Sequence, residues 1–596
     1  MGDTLHLLKD DSMSLFISCE EANTALRQHA GVTLDAEQWA FLLANHLLPR
    51  FARGDEDFLL TDDVMDAASA LQYIAYHTNA PDRLFPNVPA NAILGRNLQI
   101  DLGADHSQIP PAFYSAARNL WRASSLPNSE DKVGNLVTRV YLGLTRVSSS
   151  SDYLLNLAEA QTSRQEILDQ SHSSQFANSA YYMGSKKTLS GFLVEAMSTV
   201  LTPHESILDL MCGSGAAAGA FSHFWPTYAS DAQQFCRNLA VVQGGGFSAS
   251  RAQHLLHLIS DHAHRNIEQL QQHVGALLET EEVIFHSDFA ISTVEQYQQY
   301  YRTLPLYPDG GRCGSWDPTR EVVERQRDPK RTPYCLATAY FANVYVGLRQ
   351  AVEIDSLRYA IDQIADEIDR AWALGALITT ISAVALTYAG HFAQPILGNA
   401  EAITEKKLPR IVERRAVSVM HEFAIRLLSL AEESETASYP VRIVPGPWKN
   451  AIESTSRHIS EGIMVYLDAP YTRDEYSRYY HVLETISQYR YPCSIGPARI
   501  PSKVLGERFR SEFFTRNAEL MRKTYADIIL SVLEHNWKCA WSYSDGGAVA
   551  PASVIDDVAR RRRVHVRSFS APYVYKAQGG KPQKNVTEYL VVFEGK

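Results

Sequence analysis

Four short segments carry residue types that do chemistry. In IMVYLDAPYTRDEYSRYY, an apolar run at 463–467 delivers Asp468, Ala469, Pro470 and Tyr471 in succession. Such a run ending in an acid reads as a buried strand opening onto a loop, and in a parallel sheet that edge is where ligands sit. In DLMCGSG (209–215), the strand-like SILDL passes Asp209, Gly213 and Gly215 before the small-residue run AAAGAF. A strand, a glycine-rich turn and a helix form a loop where backbone can come close to a nucleotide. The spacing is G-x-G only, without the third glycine of a dinucleotide fingerprint or the lysine of a P-loop, so a plain strand-to-helix turn also accounts for it. Asp231, in PTYASDAQQFC, follows the next strand-like run. There an acid either accepts from ribose hydroxyls or caps a helix. Upstream, YYMGSKKTLSGFL places Tyr182, Gly184 and Lys186 just before the first strand.

Taken in order, Tyr-Met-Gly-Ser-Lys-Lys, Asp-x-x-x-Gly-x-Gly, an acid after the second strand and Asp-Ala-Pro-Tyr resemble the S-adenosylmethionine-dependent DNA adenine-N6 methyltransferases of the Dam-like class. YSRYYHVLETI and the final TEYLVVF are similar to that family too, and the resemblance covers roughly residues 175–240 and 440–596. It implies a Rossmann-like methyltransferase domain that binds S-adenosyl-L-methionine and double-stranded DNA. Gly213 and Gly215 would wrap the methionine part of the cofactor, and Asp209 would meet its amino end. Asp231 would hold the ribose, while Tyr182, Gly184 and Lys186 would close over the other side. Asp468 would border both cofactor and target. Its carboxylate and the Ala469 carbonyl would each accept one N–H of the adenine amine, aiming the nitrogen lone pair at the methyl group. Tyr471 would stack on the base once it has left the duplex. Ala469 stands where the family usually has proline; the carbonyl is kept, and Pro470 still holds residue 469 extended. Pro447, in RIVPGPW, stands near where the family often has an acid by the cofactor's adenine; Trp448 could stack there, and Asp288 is a weaker substitute. The implied setting is restriction-modification or phage defence. A catalytically silent DNA-binding module and an RNA adenine methyltransferase are the alternatives.

The elements that must position these residues alternate in type. ESILDL, IMVYL and KCAWSY read as short buried strands among helical periods, and VHVRSF and TEYLVVF flank a turn-rich stretch. That pattern predicts an α/β protein whose mostly parallel sheet ends in an antiparallel hairpin. Residues 1–170 read as a mainly helical accessory domain, a place for a protein partner, in which Thr61 caps a helix beginning with Asp62 and Asp63. Residues 171–240 form the cofactor-binding part, 241–440 a long helical insertion for target recognition, and 441–596 the catalytic part. The run Arg560, Arg561, Arg562, Arg563 reads as contact to the DNA backbone. The Arg-rich stretch 312–331 is interspersed with acids and fits a solvated face equally well.

The net charge of −11 excludes a wholly basic nucleic-acid binder but not a locally basic groove. Seven cysteines are scattered with no C-x-x-C pair, which points to reduced thiols, no zinc site and a cytoplasmic protein. The uncharged stretch Ala371 to Gly390 is long enough for a bilayer. Its alanines and threonines, and the acidic IADEIDR that precedes it, predict a buried helix instead, and no membrane contact.

Overall fold

The computed structural model describes residues 14–30, 36, 39, 43, 48–53, 56–65, 68, 182, 186–201, 205–285, 291–309, 311–388, 390–459, 462–471, 475–575 and 584–596. Near the N-terminus, β1 (Phe16–Ile17), β2 (Arg50–Arg53) and β3 (Glu56–Leu60) form a small antiparallel sheet in the order β1-β3-β2, with the helix Cys19–Ala30 between β1 and β2. The described part of the expected helical unit is therefore partly strand.

The main sheet is built from β4 (Ser206–Asp209), β5 (Thr227–Ala229), β8 (Val441–Ile443), β9 (Ile463–Leu467), β10 (Lys538–Ser544), β11 (Val564–Tyr575) and β12 (Lys584–Gly595). The short pair β6 (Thr387–Tyr388) and β7 (His391–Pro395) stands apart from it. The order is β8-β5-β4-β9-β10-β12-β11, parallel from β8 to β10, with β12 antiparallel to both its neighbours. All five residues of β9 are buried, as an unbroken apolar run in a sheet covered on both faces requires. The chain enters at β4, builds outward to β5 and β8, then crosses to β9 and β10 on the other side. Strand order therefore reverses between β4 and β9, and a crevice opens above their carboxyl ends. Asp209 pairs with Tyr466 in register, so Asp209 and Asp468 emerge side by side at that crevice.

Between β5 and β8 the chain makes a largely helical excursion, whose longest member is the 37-residue helix Ala249–Phe285. The uncharged stretch lies here, in the helix Glu367–Val384, where Trp372 through Ile381 are buried. Its polar atoms are satisfied locally: the Asp366 carboxylate accepts from the amides of Ile368 and Asp369, and the Thr379 and Thr380 hydroxyls donate to the Ala376 carbonyl. Among the described residues no helix is long and apolar enough to cross a membrane.

The N-terminal strands seal one side of the main sheet. Phe16, Phe51 and Leu60 join the apolar cluster under β9, β10 and β12, and Phe51 stacks on Tyr589 of β12 at 5.2 Å. Asp62 and Asp63 do not sit idle in a helical first turn. Asp62 accepts from the Val566 amide (2.8 Å) and Asp63 from the Ser568 amide (2.9 Å), on the outer edge of β11. Those carboxylates occupy donors that an open edge strand would offer to another chain. The Thr61 hydroxyl donates to the Ser14 carbonyl, tying the turn to β1 instead of capping its own helix.

Candidate functional site

The first wall of the crevice is the glycine loop. β4 ends at Asp209, and the chain turns through Gly213 (φ +52°) and Gly215 (φ +78°) into the helix Ala216–Ser222. The conformation of this loop is pinned by Asp231, which follows β5. Its carboxylate accepts from the Gly213 amide (3.2 Å) and the Gln233 amide (2.8 Å). Asp231 thus makes a local turn and braces the loop across the crevice. Asp231 does not cap the helix that follows, whose N-cap position is Gln233, and a carboxylate that accepts two amides keeps further lone pairs for a ligand hydroxyl.

Asp209 is 1% exposed, and neither carboxylate oxygen makes a hydrogen bond of ordinary geometry, although the Ala218 and Met211 amides lie close by. Burial, then the neighbouring Asp468 and Asp231 carboxylates, push its acidity well above the usual carboxylate range; the Ala218 and Met211 amides oppose that only in part. A buried acid left unpaired at a cavity wall is costly unless a cationic or donor group arrives to meet it.

The second wall is the loop leaving β9. Lys186 is buried and reaches across to it, with Nζ 2.9 Å from Asp468 Oδ1 and 2.6 Å from the Tyr471 hydroxyl. The Tyr471 hydroxyl lies 2.9 Å from the same Asp468 oxygen, 3.3 Å from the Ser542 hydroxyl and 3.2 Å from Glu588 Oε2. Burial works against the Lys186 charge, but Asp468 and Glu588 more than offset it and hold the ammonium above its ordinary range. Pro470 is fixed from below, since its carbonyl accepts from the Tyr525 hydroxyl at 2.8 Å.

Glu588 is the residue that sequence reasoning missed. It lies in β12, opposite Ser544 of β10, and is 3% exposed. Burial raises its carboxyl to about 7, with Lys186 pulling the other way. The signal was present in TEYLVVF: period-two alternation puts Glu588 on one face with the fully buried Leu590 and Val592. An acid on such a face calls for a cationic or donor partner.

An aromatic stack closes one end. Tyr182 lies parallel to Tyr480 (5.0 Å, 11°) and Tyr476 (5.5 Å, 24°), and its ring borders Gly213. YSRYYHVLETI therefore supplies the stack, and its Glu484 accepts from the amides of Gln234 and Phe235, capping the helix Gln234–Val241. The two halves of the sequence motif set are bolted together by these contacts.

Together the walls enclose an open cavity of about 280 Å³ bordered by Tyr182, Lys186, Asp209, Gly213, Asp231 and Asp468. Ala469, Pro470 and Tyr471 line it too, as do Pro447 and Trp448. Gly215 supports it from within the loop. Gly184 and Asp288 lie outside the described residues.

Arg560 to Arg563 do not join the site. β11 runs antiparallel to β12, with Val564 opposite Gly595 and Ala571 opposite Glu588, so the arginine run sits at the far end of the hairpin from Glu588. Arg561 pairs with Asp527 at 2.7 Å and Arg560 with Asp557 at 3.5 Å. Four of the five arginines in 312–331 are similarly engaged: Arg312 with Asp317, Arg320 and Arg331 with Glu324, and Arg325 with Glu321. Compared with family models, with curated proteins and with solved structures, the chain matches none.

Proposed function

We propose that the chain is an S-adenosylmethionine-dependent DNA methyltransferase acting on the exocyclic N6 of an adenine swung out of double-stranded DNA. The observation that carries this reading is the meeting of Asp468-Ala469-Pro470-Tyr471 with the Asp209–Gly215 loop in one cavity, at the point where strand order reverses. The sheet order and its antiparallel terminal hairpin support the Rossmann-like methyltransferase architecture that the sequence resemblance implies.

The residues present fit the cofactor. The unpartnered Asp209 carboxylate suits an ammonium group, the glycine loop admits close backbone approach, and Asp231 has lone pairs to spare for ribose hydroxyls. Tyr182 and Trp448 offer flat apolar faces in the same cavity. Bound there, S-adenosylmethionine supplies a methyl group on a positively charged sulfur, open to in-line attack by an amine.

The chain's own contribution is to aim the attacking nitrogen. Adenine N6 is a poor nucleophile because its lone pair is delocalised into the ring. Both Lys186 and Tyr471 bind Asp468 through Oδ1, which fixes the carboxylate and leaves Oδ2 to accept one N–H of the amine. The Ala469 carbonyl accepts the other. With both hydrogens held, the lone pair is freed from the ring and directed at the methyl carbon, so that placement supplies much of the acceleration. On gaining the methyl group, whose bond to the sulfonium sulfur would break, the nitrogen would shed one proton, which Asp468, already accepting that N–H, would receive. The Tyr471 hydroxyl is committed to the Lys186–Asp468–Glu588 cluster, which fixes the ring that borders the base site.

The test is transfer of a tritiated methyl group to plasmid DNA and, in parallel, to total RNA. Label in N6-methyladenine of DNA is the expected result. Label only in RNA would move the substrate class, and cofactor binding without any transfer would favour a silent DNA-binding module.

A further inference from the structure

We propose that the loop tip Val504–Leu505 is a wedge that enters the DNA stack and fills the space vacated by the extruded adenine. This rests on the methyl-transfer reading and adds the surface by which the duplex is opened.

Val504 is 84% exposed and Leu505 63%, two adjacent aliphatic side chains standing bare in solvent. Such a pair on a slack loop would say little, but this loop is built. The Glu507 carboxylate accepts from the amides of Cys493 (2.5 Å), Ser494 (3.2 Å) and Ser502 (3.3 Å), clamping the base of the tip. Arg508 donates to the Pro501 carbonyl, and the Arg510 guanidinium to the Lys503 carbonyl at 2.7 Å. The tip is thus held out by its own scaffold, not left loose.

The scaffold connects directly to the site. Phe509 to Phe514 line the cavity, and Phe513 packs on Tyr525 (5.0 Å), whose hydroxyl holds the Pro470 carbonyl. Lys503 and Arg508 both reach Glu475, four residues beyond Tyr471. A continuous chain of contacts therefore runs from the apolar tip to the residues proposed to receive the base.

The charge around the tip suits a duplex. Residues 499–516 hold five cations against two acids in a chain whose net charge is −11. Arg510 and Arg516 are exposed and have no acidic partner among the described residues, so they can meet phosphates on either side of an inserted side chain. A two-residue apolar tip is far too small for a stable protein interface, which needs on the order of 800 Å² per partner. It matches the size of one base step, where aliphatic side chains act as wedges in DNA.

The experiment compares two duplexes carrying the sequence that the protein methylates, found by long-read sequencing of DNA from cells expressing it. In one the target adenine is paired with thymine; in the other it faces an abasic site, so extrusion no longer needs an intruder to hold the gap. For Val504→Ser combined with Leu505→Ser, kcat/KM on the paired duplex should fall at least about tenfold. Transfer to the abasic-opposed duplex should stay within about twofold of the unaltered protein. Both side chains are exposed, and unchanged cofactor binding by calorimetry verifies that the variant is folded. Equal loss on both duplexes, or no loss on either, overturns the wedge while leaving the methyl-transfer reading intact. No transfer by the unaltered protein to any DNA overturns that reading, and the wedge with it.

Discussion

The two glycines of the cofactor loop should fail in different ways when each is replaced by alanine. At Gly215 a new Cβ would lie 2.5 Å from the Ala240 Cα, a backbone atom of the packed helix that follows β5, at φ +78°. Left-handed backbone costs a residue with a side chain about 1–2 kcal/mol, and forcing a methyl into a packed contact adds about 1–3 kcal/mol, so Gly215→Ala should lose roughly 2–5 kcal/mol. At Gly213 the Cβ would instead meet the Tyr182 ring, 2.8 Å from Cε1, at φ +52°. A side chain can swing where a backbone cannot. Gly213→Ala should therefore pay only the left-handed cost of about 1–2 kcal/mol while pushing Tyr182 out of its stack with Tyr480. Thermal unfolding and calorimetric titration with S-adenosylmethionine separate the two. Gly215→Ala should melt several degrees below the unaltered protein, whereas Gly213→Ala should melt close to it but bind the cofactor at least about tenfold more weakly. A Gly215→Ala protein with unchanged melting, or a Gly213→Ala protein with unchanged affinity, would refute the packing argument for that position.

Three further outcomes follow from the same contacts. Burial raises the Glu588 carboxyl from 4.5 to about 7, so the folded state holds a proton that the unfolded chain has released, and stability contributed by that proton falls as pH rises between those values. Glu588→Gln should gain on the unaltered protein by roughly 3 kcal/mol across that window, read by denaturant unfolding at pH 5 and pH 8; parallel pH profiles would remove the perturbed carboxyl. Asp62→Ala with Asp63→Ala strands the Val566 and Ser568 amides at the β11 edge and should cost about 2–5 kcal/mol and promote association, checked by unfolding and light scattering. Replacing Arg561, Arg562 and Arg563 by alanine should leave the salt dependence of DNA affinity unchanged, whereas Arg510→Ala with Arg516→Ala should lower its slope by about two; the opposite pattern would return the duplex to the far end of the hairpin.

Much of the site was legible because its chemistry sits at strand ends, where an apolar run must stop. IMVYL before Asp468 and SILDL before Asp209 announce both walls of the crevice, and parallel pairing brings them together. Asp231 was legible as an acid after a strand, but its bond to the Gly213 amide was not, because the two residues are 18 apart in the chain and meet only across the crevice. The N-terminal strands were not legible. Two-residue FI and four-residue RFAR are too short to show alternation, and EDFLL buries only its last two residues fully. The placement of the arginine run was not legible, for a topological reason. Local composition marks it as basic, but only the register of β11 on β12 reveals which end of the sheet it occupies. Glu588 escaped because its partners, Lys186 and Tyr471, are distant in the chain and meet it only once the sheet has formed.

The central claim is that Asp468 aims the target amine, and single-turnover methyl transfer to an adenine-containing duplex tests it most directly. Asp468→Ala also removes the ion-pair partner of a buried lysine, leaving Lys186 to face Glu588, so some stability is lost and a folded fraction must be verified. Asp468→Asn keeps an oxygen for the amine and a near-native shape, and is the sharper comparison. With cofactor saturating, transfer should fall by about 10³-fold or more in Asp468→Ala and by less in Asp468→Asn, with cofactor affinity changed little in the asparagine variant. Transfer at the unaltered rate by folded Asp468→Ala would contradict the account.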